Sequence, residues 1–201
     1  MKIGIFGGTF DPPHVGHVEA FKAFLEQFGF DKAFVIPVFT PPHKSLKSHV
    51  TAQDRLNMSS LAFENLADNV IVSDIEITRQ GKSYTADTIK YFKDQGYDDI
   101  YFLCGTDMLL TLGHWYKPEY ILSNAKIVYA RRENDLENTN KITEKIQEYI
   151  DNYGAVITPL NVNVLEISST EIREELQKGK SSYLSKEVAE YIEKNGLYKE
   201  V

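Results

Sequence analysis

The chain opens with MKIGIFGGTFDPPHVGH (residues 1–17), a short apolar run followed at once by two glycines, an acid, two prolines and two histidines. A strand of β-branched and aromatic residues ending at Phe6 puts everything after it at the C-terminal rim of a sheet. In an open parallel sheet, ligands bind at that rim. Gly7 and Gly8 are expected to allow close backbone approach and positive φ. Pro12 and Pro13 are expected to stiffen the loop by fixing φ. Next, VGHVEAFKAFLEQFG (15–29) carries Val15, Val18, Phe21, Phe24, Leu25 and Phe28 at three- to four-residue spacing, with Gly29 as a stop. That is the pattern of an amphipathic helix. Its N-terminus offers N–H groups and the positive end of a dipole, which together make an anion site. His14 and His17, three apart, share a face directed at that anion and can donate to phosphate oxygens.

The glycine spacing is neither G-x-G-x-x-G nor G-x-x-x-x-G-K-[ST], which demotes dinucleotide-fingerprint and P-loop chemistry. Helix capping, or metal ligation together with Asp11, are plainer readings of the two histidines. Neither accounts for the paired glycines and prolines, and no further ligand sits at a recognisable metal spacing, so no metal site is assigned to side chains.

Outward from this turn, β-branched and aromatic runs alternate with amphipathic ones. Strands are expected at 2–6, 32–37, 70–77, 99–105, 125–131 and 161–167. Helices are expected at 51–66 with Thr51 as N-cap, 85–96, 143–154, 169–180 and 185–198. The alternation predicts an α/β fold, a mostly parallel sheet covered by helices on both faces, with a small helical C-terminal cap. No repeat, low-complexity tract or linker divides the chain, so 1–201 reads as a single domain with 167–201 its helical C-terminal part. Residues 132–145 are the most polar stretch and read as a surface insertion leading into a helix.

With 29 acids against 22 Lys plus Arg the net charge is −7, so no global field recruits nucleic acid. No run approaches the ~18–20 apolar residues of a membrane span, and a signal-peptide profile is lacking. With a single cysteine no internal disulfide forms, and a cytoplasmic location is expected. Cys104, inside the apolar run IYFLCG, reads as a buried structural thiol rather than a nucleophile.

A second site element is ISSTEIR (167–173), which follows a strand-like run and opens a helix. Ser168, Ser169 and Thr170 supply hydroxyls where helix N–H groups cluster, and Arg173 lies about one turn in. Alone, this is an ordinary capped helix. Paired with the first turn, it suits a triphosphate better than a monophosphate.

GGTFDPPHVGH and ISSTEIR together resemble the nucleotidyltransferase superfamily marked by H-x-G-H and S-[ST]-[ST]-x-[IV]-R. More closely, the chain resembles the bacterial nicotinate-nucleotide adenylyltransferases. PPHK (41–44), SYTADT (83–88), FLCGTDML (102–109), HWYKPEYIL (114–122) and VAEYIEKNGLY (188–198) match that family in order. The resemblance implies a Rossmann-like nucleotidyltransferase fold and adenylyl transfer from Mg-ATP to nicotinate mononucleotide. It implies direct in-line attack without a covalent intermediate, and the small-molecule partners ATP and nicotinate mononucleotide, with no nucleic acid or membrane. By the same resemblance His17 is the transition-state stabiliser, His14 a partner donor and Lys44 a phosphate-binding cation, with His43 beside it. Gly7, Gly8, Thr9, Phe10, Gly105, Asp107, Ser168, Ser169, Thr170 and Arg173 fall on the ATP side. Trp115 and Tyr116 offer a stacking surface for the pyridine, and Thr85 a donor for its carboxylate. Asp107 meets ribose or Mg²⁺.

Pantetheine-phosphate adenylyltransferase and the cytidylyltransferases share H-x-G-H, but SYTADT and HWYK favour the pyridine nucleotide. A non-catalytic nucleotide-binding module is disfavoured by the presence of both histidines, Lys44 and Arg173. A tRNA-charging domain is disfavoured by the length and the net charge.

Overall fold

The computed structural model describes residues 1–42, 49–132, 139–164, 167–180 and 182–199. Six strands form one sheet: β1 (Lys2–Gly8), β2 (Lys32–Pro37), β3 (Val70–Val72), β4 (Asp99–Gly105), β5 (Lys126–Arg132) and β6 (Ile157–Val164). Their order is β3-β2-β1-β4-β5-β6 and every neighbouring pair is parallel. The strands are near-continuous apolar runs because both faces are covered. Alternation sorts them. Ile3, Ile5, Phe34, Ile36 and Phe102 point to one face, while Phe6, Ala33, Val35, Leu103 and Val128 point to the other.

Nine helices lie among the described residues: α1 (Val15–Phe28), α2 (Ala52–Phe63), α3 (Ile75–Arg79), α4 (Thr85–Asp94), α5 (Thr106–Thr111), α6 (Pro118–Asn124), α7 (Thr139–Tyr153), α8 (Ser169–Gln177) and α9 (Lys186–Lys194). Ile89 and Phe92 of α4, Ile121 of α6 and Tyr149 of α7 cover the first face. Phe21 and Phe24 of α1, with Phe63 of α2, cover the second. Gly4 is required there: a Cβ on it would lie 2.8 Å from both the Phe24 and Phe30 rings. α9 closes over α2 through Val188 and Ile192 against Met58. Gly29 and Gly154 end their helices at φ 60° and 63°. Thr51 caps α2, accepting the Asp54 N–H at 3.1 Å. Among the described residues no helix is long and apolar enough to cross a membrane.

Four elements differ from the sequence expectation. The run 70–77 is not one strand: β3 stops at Val72 and 75–79 is helical. Asp74 explains the switch, since its carbonyl accepts the Thr78 N–H at 2.8 Å and its carboxylate the Thr78 hydroxyl at 3.0 Å, closing a helical turn. β6 (157–164) begins at 157 rather than 161, because Pro159 is accommodated on an edge strand and does not break it, and residues 165–166 of the expected strand lie outside the described residues. The short helices α5 and α6 were not expected at all, being too brief for a periodic pattern. In the polar stretch, α7 begins at Thr139, and residues 133–138 of the expected insertion lie outside the described residues.

Candidate active site

A cavity of ≈ 800 Å³ opens at the C-terminal ends of β1 and β4. The two strands are neighbours at the centre of the sheet, where the strand order reverses direction and crevices form. Gly7 and Gly8 end β1 at its floor, and Gly105 ends β4.

The turn from β1 to α1 is built around an aromatic ring. Positive φ falls on Phe10, at 49°, and not on Gly7 or Gly8. The positive φ expected at those glycines is therefore corrected. Phe10 turns back so that its buried ring packs on Phe6 at 5.3 Å, His17 at 5.2 Å and Phe63 at 5.5 Å. It thereby occupies the space above Gly8, where a Cβ would stand 2.6 Å from the ring. Gly8→Ala must push a ring that has nowhere to go. We expect a loss of about 1–3 kcal/mol in thermal or urea unfolding, the range for overpacking; an unchanged midpoint would refute this packing account.

His14 is the N-cap of α1 and is buried. Its backbone N–H donates to His17 Nδ1 at 3.3 Å, and the two rings lie 3.7 Å apart, tilted by 31°. Because Nδ1 accepts, the neutral His17 ring carries its proton on Nε2. Both rings line the cavity.

The N-terminus of α8 docks directly onto this turn, joining motifs far apart in the chain. The Ser169 hydroxyl donates to the Pro12 carbonyl at 3.1 Å, and Arg173 Nη1 to the Asp11 carbonyl at 2.7 Å. Arg173 Nη2 donates to the Thr170 hydroxyl at 3.0 Å, and its guanidinium lies 3.8 Å from the Asp11 carboxylate. Ser168 follows the plainer reading. Its hydroxyl accepts the Glu171 N–H at 3.2 Å and donates to the Glu171 carboxylate at 2.7 Å, closing a capping box. The hydroxyls of Ser168 and Ser169 are thus engaged by the protein itself, and the helix-end N–H groups and Arg173 are the group's cationic offering to the cavity.

At the far end, Thr85 opens α4 beneath Tyr84, whose side chain supplies no cap. Trp115 is half-buried, edge-on to Phe102 with centroids 6.5 Å apart, and the exposed Tyr116 ring lies 4.5 Å from Tyr84. Asp107 is exposed at the rim and folds back so that a Cβ on Gly105 would meet its carboxylate at 2.6 Å. Gly105 therefore makes room for that acid. Thr9, Thr85, Asp107, Trp115 and Tyr116 all line the cavity. Cys104 also lines it, but burial pushes its thiol well above the usual range, as suits a structural thiol. His43 and Lys44 lie outside the described residues.

Comparison with known proteins agrees with this geometry. The cytidylyltransferase-like family matches residues 5–175. A probable nicotinate-nucleotide adenylyltransferase of Caldicellulosiruptor saccharolyticus is 36% identical, over 100% of this chain and 100% of its own. That of Aquifex aeolicus is 41% identical over 74% of this chain and 86% of its own. The chain belongs to the nicotinate-nucleotide adenylyltransferase family. Among solved structures, the Plasmodium falciparum nicotinic acid mononucleotide adenylyltransferase complexed with NaAD has a TM-score of 0.77 at 20% identity, covering 98% of this chain and 97% of that one. That likeness is one of fold.

Within this family member, four side chains that sequence reasoning passed over organise the cavity. Arg55, on α2, is fully buried and donates to three carbonyls, those of Thr9 at 2.9 Å, Val38 at 2.6 Å and Phe39 at 3.0 Å. Its only sequence signal is an arginine on the same helical stripe as Met58, Ser59 and Phe63. Tyr198, near the chain's end, donates to Asp11 Oδ1 at 2.7 Å. Tyr149, on α7, accepts the Gly113 N–H at 2.8 Å and donates to the Leu109 carbonyl at 3.1 Å, setting the turn that presents Trp115. Glu76, on α3, is buried beside α4 and lines the cavity.

Proposed function

We propose that the chain, acting as one domain, transfers the adenylyl group of ATP to nicotinate mononucleotide, giving nicotinate adenine dinucleotide and pyrophosphate. A phosphate oxygen of the mononucleotide attacks the α-phosphorus of ATP. The bond from that phosphorus to the bridging oxygen of the β-phosphate breaks, and pyrophosphate leaves. The observation that carries this reading is one continuous cavity with two unlike ends. One end joins the H-x-G-H turn to the α8 N-terminus and Arg173; the other joins an uncapped helix start to Trp115.

The attacking phosphate is already an anion, so the protein's task is positioning and charge neutralisation. In this reading His17 Nε2–H and His14 donate to the α-phosphate and its neighbours as charge develops. Arg173 and the N–H groups at Ser169 and Thr170 hold the leaving phosphates, with Ser168 closing the cap beside them. Gly7, Gly8, Thr9 and Phe10 shape the floor for the nucleotide, with Gly105 at the β4 end. Lys44 supplies a further cation at the phosphates and His43 a neighbouring donor. Trp115 and Tyr116 stack against the pyridine ring, the α4 N-terminus at Thr85 receives its carboxylate, and Asp107 accepts from ribose.

Mg²⁺ enters with ATP. Among the described residues no three His, Cys, Asp or Glu groups cluster as a metal site. Such a lining fits a cation held mainly by phosphate oxygens and water, with the exposed Asp107 carboxylate as its protein oxygen. Bound so, the ion neutralises phosphate charge. A cytoplasmic setting, where both nucleotides are made and used, completes the proposal.

The test is pyrophosphate release from Mg-ATP with nicotinate mononucleotide and nicotinamide mononucleotide offered separately. We expect the acid to be preferred about 10³-fold in kcat/KM, because the amide leaves donors built for a carboxylate imperfectly paired. Equal turnover of both would overturn the acceptor assignment, and no release with either would return pantetheine phosphate and the cytidylyl acceptors to consideration.

A further inference from the structure

Glu76 is a carboxyl group for which the proposed reaction has no use. It is 5% exposed, lines the cavity, and sits against the start of α4. Its Oε1 accepts the Thr88 hydroxyl at 2.6 Å. Arg79 Nη2 stands 3.9 Å from that same oxygen and donates to Thr88 Oγ1 at 3.2 Å. Oε2 is buried and has no hydrogen-bond partner among the described residues.

A carboxylate buried this deeply is costly to ionise, whereas the neutral acid is much less so. Burial accordingly pushes the Glu76 carboxyl above its ordinary value, and the negative charge of Asp87 adds to this; the Thr88 and Ser83 hydroxyls and the Arg79 charge act the other way. The charged groups facing it are thus Arg79 from its own helix and Asp87 from α4. Through Thr88, Glu76 is tied to the first turn of α4, where the Thr88 N–H bonds the Tyr84 carbonyl at 3.2 Å and Tyr84 supplies no side-chain cap. A helix start of this kind favours a negative ligand group. A second negative charge buried directly behind it would compete with that ligand.

We propose that Glu76 is the positioning residue for acceptor choice: through its bond to Thr88 it fixes the first turn of α4, which receives the pyridine carboxylate. This rests on the acceptor assigned above. Ionising Glu76 sets a like charge near the carboxylate of nicotinate mononucleotide but not near the uncharged amide of nicotinamide mononucleotide. Preference for the acid therefore declines as pH rises through the Glu76 ionisation. The phosphate of the mononucleotide titrates in both substrates and cancels from the ratio.

The experiment is the ratio of kcat/KM for acid over amide, followed as pH is raised from the acid side of neutrality into the alkaline range. It is run on the wild type and on Glu76→Gln, which keeps the shape and cannot ionise. Binding of each mononucleotide is followed in parallel by the fluorescence of Trp115, the sole tryptophan. The wild-type ratio is expected to fall about tenfold, the effect of one pK unit of coupling, while the Glu76→Gln ratio stays flat. A residue that merely packs the helices would scale both substrates together and leave the slope unmoved. A flat wild-type ratio overturns the proposal without any variant, and so does a Glu76→Gln ratio that falls as the wild type does; in both cases a standing preference for the acid leaves the proposed function intact. A wild type without preference for the acid removes the acceptor assignment, and this role with it.

Discussion

Adenylyl transfer by the His17→Ala protein falls about 10²–10³-fold, the usual cost of removing one preorganised donor from a developing charge. The loss appears in kcat, with KM for ATP little changed, because the donor's worth grows only as the α-phosphate gains its fifth oxygen. The structure supplies the reason that this histidine in particular is poised. The His14 N–H occupies Nδ1 at 3.3 Å and so directs the ring's proton to Nε2, while Phe10 packs edge-on at 5.2 Å and fixes the ring's tilt. Folding suffers little, since His17 is half-buried and its bond to the His14 N–H is worth about 1 kcal/mol. Single-turnover pyrophosphate release, with thermal unfolding alongside, separates the two effects. A variant that keeps kcat and raises only KM would show that His17 binds ground-state nucleotide and takes no part in the transition state.

The Arg55→Met protein loses about 3–5 kcal/mol of stability, as expected when one partner is removed from a buried charged network. Arg55 is 0% exposed, and it bridges the turn after β1, at Thr9, to the segment after β2, at Val38 and Phe39. Methionine fills much of the volume but leaves three carbonyls without that donor. Against a typical total of about 5–15 kcal/mol this is a large fraction. Below its unfolding midpoint the variant also binds ATP more weakly, because Thr9 and Phe10 lose the brace that sets them. Lysine restores only part, since one ammonium does not span carbonyls that a planar fork reaches together. Urea unfolding decides it: a cost under about 1 kcal/mol for Met would mean the carbonyls find other donors and that Arg55 is not the brace.

The H-x-G-H turn, the parallel sheet and the ISSTEIR helix were legible in the sequence because their signals are local. A strand followed by Gly, Pro and His dictates a turn at the sheet's rim, and Ser168 three residues before Glu171 dictates a cap. The start of β6 had no such local signal: a proline within a strand is tolerated only by its place at the sheet edge, as Pro159 is. Asp74 likewise turned a strand-like run into a helix through two hydrogen bonds that composition does not reveal. Gly7 and Gly8 line the cavity, but without the positive φ expected of them, and what Gly8 accommodates is the ring of Phe10.

Local periodicity and turn chemistry therefore determined the architecture and most of the residues singled out here that line the cavity. Tertiary structure alone decided what holds those residues in place: Arg55 on the carbonyls of two separate loops, Tyr198 on Asp11, Tyr149 beneath the Trp115 turn, and Glu76 behind α4. Each is a polar side chain on an otherwise ordinary helix or terminus, with partners tens of residues away or across a turn. A buried polar group takes its meaning from the partner that satisfies it, and the sequence does not say which partners the fold will bring within reach.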